Sequence, residues 1–192
     1  MERGPAQVDL PAHGLPKDVE EVLLTAEQIQ RRIAELGQEI SLDYSSRSPI
    51  LVGVLKGVIP FISDLMRQIT VDVEIDLLAV HRPNGYGHPD MEITRDVQLD
   101  ITGRHVIVVE DIVDMGQTLD KILEHLRLKN SASLEVCALL DKPSRRLVEV
   151  PVKYVGFEIP NRFVVGYGLD YEERLRNLPY IGTMKRYYEN RA

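Results

Sequence analysis

The sequence has no tryptophan, a single cysteine and no long hydrophobic run, and each of these absences excludes a class of protein. One cysteine, Cys137, forms neither an intramolecular disulfide nor a cysteine metal cluster, and its place in the apolar run LEVCALL predicts a packed core thiol. No apolar segment approaches the length of a membrane span, and the N-terminal MERGPAQVDLPAHGLP lacks the hydrophobic core of a signal peptide. We therefore predict a cytoplasmic protein with no membrane partner.

Positive charge is also scarce. The formal net charge is -7, and lysine and arginine form no run longer than a pair. Because nucleic acids are bound through basic surfaces, we expect no nucleic-acid partner. The chain of 192 residues, 44% of them hydrophobic, is long enough for one well-filled core and short for two. We expect a flexible N-terminal arm at residues 1–16, rich in Pro and Gly, and a single domain at residues 17–192.

After residue 16, hydrophobic periodicity alternates between helix-like and strand-like blocks. Thr25 and Gln28 form a capping-box pattern, and apolar residues then recur at helical spacing up to Ile40. Further helices are predicted from Pro60 and over 119–128. Strands are predicted at 49–55, 73–80, 105–109, 134–140, 152–158 and 163–167. Buried strands that alternate with helices indicate an α/β fold with a parallel sheet covered on both faces.

In the segment VVEDIVDMGQTLD, residues 108–120, three carboxylates, Glu110, Asp111 and Asp114, come just before a glycine and the start of a helix. Gly116 allows close backbone approach, and the N–H groups at the start of the helix, where Gln117 and Thr118 lie, form an anion site with the positive end of the helix dipole. Neighbouring carboxylates would repel a phosphate unless they face sugar hydroxyls or Mg²⁺. The motif therefore favours a phosphorylated sugar bound with a metal, although its spacing equally allows Glu110 and Asp111 to be a solvated turn and a helix cap.

This motif resembles the phosphoribosyl pyrophosphate-binding motif of type I phosphoribosyltransferases. The segments VLLTAEQIQRRIAELG, GVLKG and YVGFEIPNRFVVGYGLDYEERLRNLPYIGT are similar to hypoxanthine-guanine phosphoribosyltransferases, especially bacterial ones, and occur in the same order. The likeness extends from about Leu15 to Thr183. It implies a mostly parallel twisted sheet flanked by helices, with a small hood. It also implies a purine salvage enzyme that transfers phosphoribose from phosphoribosyl pyrophosphate to hypoxanthine or guanine, with Mg²⁺, as a homodimer or homotetramer.

The resemblance also implies roles for the donor-binding residues. Glu110 and Asp111 would contact the ribose hydroxyls, partly through Mg²⁺, and Asp114 would be the general acid or base near the purine N7. The backbone of Asp114, Met115, Gly116, Gln117 and Thr118, with the Thr118 hydroxyl, would hold the 5-phosphate. Lys56 and Gly57 match the pyrophosphate loop, where the family has a cis peptide, here between Leu55 and Lys56. Arg176 matches a pyrophosphate contact.

A second set of residues matches the purine-binding side of the family's site: Lys142, Phe163, Val164 and Asp170. Lys142 would donate to the exocyclic oxygen of the purine, Phe163 would stack on the base, and Val164 would pair with it through its backbone. Asp170 matches a Mg²⁺ ligand near the pyrophosphate. Without the resemblance, Lys142 would be a solvated lysine, Phe163 a core residue, and Asp170 and Arg176 surface charges.

Two features depart from the family pattern. Met115, which has no hydroxyl, stands where the family has a Thr or Ser that donates to the 5-phosphate. The family's lid carries a Ser-Tyr pair, whereas Val80 is followed here by HRPNGYG, in which Tyr86 matches only after a shift. Because a lid excludes water from the reacting centre, this change affects substrate fit and hydrolysis more than ground-state binding. Two alternatives follow: a same-fold enzyme for a different acceptor or phosphorylated ligand, and a nucleotide-binding protein with little catalysis.

Overall fold

A computed structural model describes residues 14–81 and 91–185. The predicted flexible arm, apart from residues 14–16, lies outside the described residues, and so does the lid segment 82–90 with Tyr86. Among the helices of the described residues, none has both the length and the apolar character that crossing a membrane requires.

Three helices and nine strands form in the described residues. The helices are α1 (Ala26–Asp43), α2 (Ile59–Gln68) and α3 (Gln117–Arg127), with a short 3-10 helix at Pro143–Arg145. The strands are β1 (Val19–Leu24), β2 (Ile50–Leu55), β3 (Glu74–His81), β4 (Glu92–Arg95), β5 (His105–Val113), β6 (Ser133–Asp141), β7 (Tyr154–Glu158), β8 (Val164–Val165) and β9 (Ile181–Met184).

The capping box at the start of α1 is confirmed. The Gln28 backbone N–H donates to Thr25 Oγ1 at 3.2 Å, and the Thr25 N–H donates to Gln28 Oε1 at 2.8 Å. Two N–H groups that the first helical turn would leave without partners are thereby satisfied. The helix buries the apolar face that the periodicity indicates, through Ile29, Ile33, Leu36 and Ile40.

The main sheet has the strand order β4-β3-β2-β5-β6-β7, with β2, β3, β5, β6 and β7 parallel and β4 antiparallel at one edge. Alternate residues of a strand point to opposite faces of the sheet. Helices α1 and α2 cover one face, and α3 covers the other. In β5, Ile107 and Val109 pack with α1 and α2, whereas Val106 and Val108 pack with α3. The predicted α/β fold with a mostly parallel sheet is confirmed.

The order of the strands places the carboxyl ends of β2 and β5 side by side. From β2 the chain proceeds to β3 on one side, and from β5 it proceeds to β6 and β7 on the other. Ligands of open α/β sheets bind outside the carboxyl ends of the strands at such a reversal. The segments that follow Val54 and Val109 therefore meet at this position.

A second, three-stranded sheet with the order β1-β9-β8 is antiparallel and corresponds to the expected hood. The strand predicted at 163–167 is shorter in the structure, where β8 covers only Val164–Val165. The periodicity did not indicate β1, β4 and β9. The strand predicted at 105–109 continues to Val113, so Glu110 and Asp111 belong to the end of β5, and Asp114 follows it directly.

Candidate active site

A cavity of about 810 Å³ opens at the carboxyl ends of β2 and β5. Its wall comes from the end of β2, the segment from β5 into α3, the chain after β6, and the hood. All the residues that the resemblance identified for the site line it: Lys56, Gly57, Glu110, Asp111, Asp114, Met115, Gly116, Gln117, Thr118, Lys142, Phe163, Val164, Asp170 and Arg176. The fold thus brings together residues that are as far apart as 120 positions in sequence.

Glu110 and Asp111 lie in β5 beyond the point where that strand pairs with β2, which ends at Val109. Glu110 is buried, with 8% of its surface exposed, and the Asp111 Oδ1 accepts a hydrogen bond from the Ile112 N–H at 2.7 Å. The interpretation of this pair as a solvated turn and a helix cap is wrong, because both residues are in the strand and Gly116 is the N-cap of α3.

Gly57, in the loop after β2, lies very close to Asp111, near the end of the neighbouring strand β5. A Cβ placed on Gly57 would overlap the Asp111 Oδ2, and it would come within 3.4 Å of the Gly168 carbonyl oxygen. Only glycine fits here without displacing the carboxylate. The loop after β2 is therefore packed directly on the acidic residue at the end of β5.

The turn before α3 has the features of an anion site. Gly116 has a φ of +86°, a left-handed conformation that favours glycine, and it forms the N-cap with no side-chain hydrogen bond. The first N–H groups of an α-helix have no partner within the helix, and the helix dipole makes this end positive. Gln117 and Thr118 begin α3 at the cavity wall. This geometry suits a phosphate.

Asp114 lies beside two cations at the other side of this turn. Arg145 Nε donates to Asp114 Oδ1 at 2.9 Å, and Lys142 Nζ lies 3.8 Å from Asp114 Oδ2. Lys142 is only 6% exposed, so its interpretation as a solvated lysine is wrong. Sequence reasoning missed Arg145, although the adjacent arginines in DKPSRR were a signal that cations cluster after β6.

The carbonyl oxygen of Met115 accepts hydrogen bonds from the N–H groups of Leu147 at 3.0 Å and Val148 at 3.2 Å. These bonds hold the Met115 backbone against the chain after the 3-10 helix. The Met115 side chain is half-buried and lines the cavity. The methionine thioether has no hydrogen-bond donor, whereas a hydroxyl side chain at this position would provide one.

Charged residues of opposite sign face each other at the hood side. The Leu55–Lys56 peptide is cis, as the resemblance implies, and Lys56 Nζ lies 3.0 Å from Glu173 Oε2. Arg176 Nη2 lies 2.8 Å from Asp170 Oδ1, and Arg176 Nη1 donates to the Gly168 carbonyl at 2.8 Å. The side chains of Asp170 and Arg176 are 24% and 27% exposed, so the pair is part of the cavity wall rather than a solvated surface pair.

The aromatic wall of the cavity is formed by Phe163, which is half-buried and contacts Tyr171 edge to face, with ring centroids 6.0 Å apart at 87°. This contact fixes the ring orientation. Phe163 lines the cavity, and so does Val164, the first residue of β8. The structure therefore places an aromatic face and a strand backbone at the same end of the cavity.

In the described residues, no three His, Cys, Asp or Glu side chains are close enough together to form a metal cage by themselves. Mg²⁺ keeps several waters and is usually bound by one or two carboxylates together with substrate phosphates. Glu110, Asp111 and Asp170 offer the oxygen ligands that it prefers. The donor set fits a metal that binds together with a phosphorylated substrate.

A doubly covered parallel sheet with a glycine turn at a helix start, an acidic pair and cations in one cavity is typical of α/β enzymes that bind phosphorylated ligands. The family model for the phosphoribosyl transferase domain matches residues 21–172. The chain belongs to this family.

Named relatives and solved structures agree with this assignment. The chain is 48% identical over 172 residues to the hypoxanthine phosphoribosyltransferase of Haemophilus influenzae, covering 85% of this chain and 94% of that protein. It is 47% identical over 191 residues to the hypoxanthine-guanine phosphoribosyltransferase of Mycobacterium avium, covering 94% and 91%. A crystal structure of a hypoxanthine phosphoribosyltransferase from Staphylococcus aureus superposes with a TM-score of 0.86 and 41% identity, covering 97% of this chain and 100% of that chain.

The chain also matches part of longer proteins. It is 43% identical over 173 residues to the bifunctional protein TilS/HprT of Listeria monocytogenes, and the match covers 88% of this chain but only 26% of that protein.

Proposed function

We propose that this protein is a purine phosphoribosyltransferase of purine salvage. It transfers phosphoribose from phosphoribosyl pyrophosphate to hypoxanthine or guanine and releases pyrophosphate. The observation that carries this proposal is the position of Asp114. Its carboxylate lies beside the anion-binding turn of α3 and also 3.8 Å from the ammonium of the buried Lys142, so one side chain reaches both halves of the cavity.

The donor occupies the part of the cavity between α3 and the loop after β2. The backbone from Asp114 to Thr118 binds the 5-phosphate, with the Thr118 hydroxyl as a further donor. Glu110 and Asp111 accept hydrogen bonds from the ribose hydroxyls. Lys56, Gly57 and Arg176 bind the pyrophosphate, which requires Lys56 to leave Glu173 and bind the incoming anion.

The acceptor base occupies the end of the cavity next to the hood. Phe163 stacks on the ring, Val164 pairs with it through its backbone, and Lys142 donates to its exocyclic oxygen. Lys142 is suited to this role because it is buried and its own backbone N–H is bonded to the Val113 carbonyl at 3.0 Å. A fixed donor discriminates against a base that has an amino group at the same place.

Charge distribution favours the transition state of this reaction. Displacement at the anomeric carbon builds positive charge on the ribose while negative charge builds on the leaving pyrophosphate. All four of Glu110, Asp111, Lys56 and Arg176 line the cavity. In the proposed binding mode the two carboxylates face the ribose, and the two cations face the leaving group. Asp114 holds or accepts the proton at the purine N7. Mg²⁺ bound by Glu110, Asp111 and Asp170 with the pyrophosphate would neutralise charge on the leaving group.

Steady-state assays test the proposal. The purified protein is supplied with phosphoribosyl pyrophosphate and Mg²⁺, and formation of inosine and guanosine monophosphates is measured with hypoxanthine and guanine. Adenine, which carries an amino group where the other two bases carry an oxygen, is the matched control. We expect turnover with hypoxanthine or guanine and little with adenine. Tight nucleotide binding without any turnover would overturn the proposal.

Met115 favours a second candidate, an enzyme of the same fold for a different acceptor or phosphorylated ligand. Met115 lines the cavity beside the proposed phosphate site, and its thioether offers no donor to a phosphate. Turnover with another base in the same assay would support this candidate.

The proposed location follows from the proposed reaction, and the proposed assembly follows from the family resemblance. Phosphoribosyl pyrophosphate is an intracellular metabolite, so we propose the cytoplasm as the location. We also propose that residues 17–192 form one catalytic domain and that the protein assembles as a homodimer or homotetramer. Size-exclusion chromatography with light scattering measures the assembly directly.

A further inference from the structure

Arg146 is a buried arginine that the proposed reaction does not use. Its side chain is 8% exposed. Nη2 is paired with the Asp141 carboxylate at the end of β6, while Nη1 donates to the carbonyl oxygens of Val113, at 2.8 Å, and Asp114. One planar guanidinium thus connects the end of β6 to two consecutive peptide groups of the turn that precedes α3.

The carbonyl directions in this turn determine where its N–H groups point. In a trans peptide the C=O and the N–H of the following residue are on opposite sides of the chain. Because Arg146 binds the Asp114 carbonyl, the Met115 N–H faces away from Arg146. Leu147 and Val148 bind the Met115 carbonyl in the same way, so the Gly116 N–H also faces away from this segment.

Gly116 brings the same segment into direct contact with the turn. A Cβ on Gly116 would overlap the Val148 carbonyl oxygen and lie 3.4 Å from a methyl group of Val150. One side of the turn at residues 114–116 therefore packs against residues 146–150, and its other side lines the cavity. The positive charge of Arg146 is balanced by Asp141, so its influence on the turn is mainly geometric.

We propose that Arg146, held by Asp141, is a positioning residue that aims the backbone N–H groups of Met115 and Gly116 at the 5-phosphate of the donor. This inference rests on the proposed function and concerns the same site. It assigns importance to the backbone donors of the turn, because the Met115 side chain provides no donor to a phosphate. Arg146 acts on the phosphate through the turn and has no contact with the substrate.

Arg32 provides a matched control in the same chain. Its Nε and Nη2 donate to the carbonyls of Gly156, at 3.1 Å, and Val155, at 2.9 Å, and its Nη1 pairs with Glu35 and Glu39 at 2.9 Å. It therefore also binds two consecutive carbonyls, together with two carboxylates, but it joins α1 to β7 and does not line the cavity.

The experiment compares Arg146→Lys with Arg32→Lys. Lysine keeps the charge but lacks the planar fork that bridges a carboxylate and two carbonyls. Michaelis constants for phosphoribosyl pyrophosphate and hypoxanthine, the turnover number and the dissociation constant of ribose 5-phosphate are measured, together with the melting temperature. For Arg146→Lys we expect the donor constant and the ribose 5-phosphate constant to rise about tenfold, as expected for losing an aligned hydrogen bond to a charged group. The hypoxanthine constant should change less than about threefold, and Arg32→Lys should leave all of these constants unchanged.

A second variant applies if Arg146→Lys does not fold. The double variant Arg146→Met with Asp141→Leu removes both buried charges, so that neither is left unpaired. It should fold and still bind ribose 5-phosphate about tenfold more weakly than the parent.

Three outcomes would overturn the inference while leaving the proposed function intact. These are a folded Arg146 variant with parental donor and ribose 5-phosphate constants, equal increases in the donor and hypoxanthine constants, or an equal effect of Arg32→Lys. A parent protein that neither binds ribose 5-phosphate nor turns over would instead overturn the proposed function, and the inference with it.

Discussion

Arg145 Nε donates to Asp114 Oδ1 at 2.9 Å, so an ion pair holds the candidate acid or base, Asp114, at the start of the turn before α3. Both side chains are partly exposed, at 38% and 34%, which leaves the carboxylate accessible from the cavity. The second oxygen, Oδ2, faces Lys142 at 3.8 Å. A purine that binds near Lys142 therefore meets a carboxylate whose orientation is already restricted.

Replacing Asp114 by asparagine should lower turnover more than it weakens donor binding. The amide keeps the size of the side chain and one acceptor but does not take a proton, and positioned acid–base groups contribute about a hundredfold or more to rate. The turnover number and the donor Michaelis constant are measured with hypoxanthine. Asp120→Asn, which removes a carboxylate from the first turn of α3, is the control and should leave turnover unchanged. Equal losses in turnover and donor binding for Asp114→Asn would argue against the acid–base role.

Met115→Thr should lower the Michaelis constant for phosphoribosyl pyrophosphate. The Met115 backbone is bound through its carbonyl to Leu147 and Val148, so the substitution alters the cavity wall without removing those bonds. A hydroxyl donor to a charged phosphate contributes about 1.5–3 kcal/mol, which corresponds to roughly a tenfold to hundredfold change in affinity.

Met115→Val is the control for this substitution, because valine has the branched shape of threonine without the hydroxyl. We expect Met115→Val to leave the donor constant near the parental value. If valine and threonine lower it equally, the bulk of methionine rather than the missing hydroxyl limits binding. An unchanged or raised constant in Met115→Thr would show that Met115 has a different role.

Gly57→Ala should reduce catalysis with little effect on folding. The added Cβ overlaps Asp111 Oδ2, the end of a flexible side chain, so the carboxylate moves at small cost but leaves the position from which we propose that it binds the ribose. Misplacing a catalytic group by about 1 Å can cost roughly a hundredfold in rate, so we expect kcat/KM to fall by about ten- to a hundredfold.

Gly103→Ala gives the opposite pattern and serves as the control. Gly103 has a φ of +67°, and no heavy atom lies within 4 Å of the Cβ that alanine would add, so alanine there costs about 1 kcal/mol in backbone strain without a steric clash. It should lower the melting temperature and leave kcat/KM unchanged. A Gly57→Ala protein with parental kcat/KM would show that the close approach to Asp111 has no part in catalysis.

The parts of the fold that could be predicted from sequence are those with a local signal. The run at 105–109 is apolar from Val106 onward, and the helix at 119–128 has one apolar face, which α3 buries through Leu119, Ile122, Leu123 and Leu126, so both hydrophobic patterns are strong. Strand β9 is short and is defined by pairing with β1, about 160 positions earlier, which no local pattern indicates. Similarly, the acidic residues Glu110 and Asp111 are compatible with a solvated turn when only the sequence is considered. In the structure they belong to β5, which pairs with β6 as far as Val113.

The same distinction applies to the site. The motif at 108–120 is contiguous, so its residues could be named together. Arg145 and Arg146 are adjacent and chemically identical, but one faces the Asp114 carboxylate and the other binds backbone carbonyls beneath the turn. The sequence does not show which arginine faces which way, because that depends on the 3-10 helix after β6.

Stability should decline in alkaline solution in part because of Cys137. Burial raises the pKa of this thiol above its ordinary value of 9.0. Above that pH the unfolded chain releases the thiol proton while the folded protein keeps it, so the folded state binds more protons and the free energy of unfolding falls as pH rises. The expected contribution is about 1.4 kcal/mol per pH unit.

Urea unfolding between pH 8 and about pH 10.5 measures this contribution, with Cys137→Ala as the comparison. That variant loses packing by an amount independent of pH, so the parent's stability should fall more steeply than the variant's only above pH 9. Parallel curves over the whole range would show that the thiol titrates alike in the folded and unfolded chains.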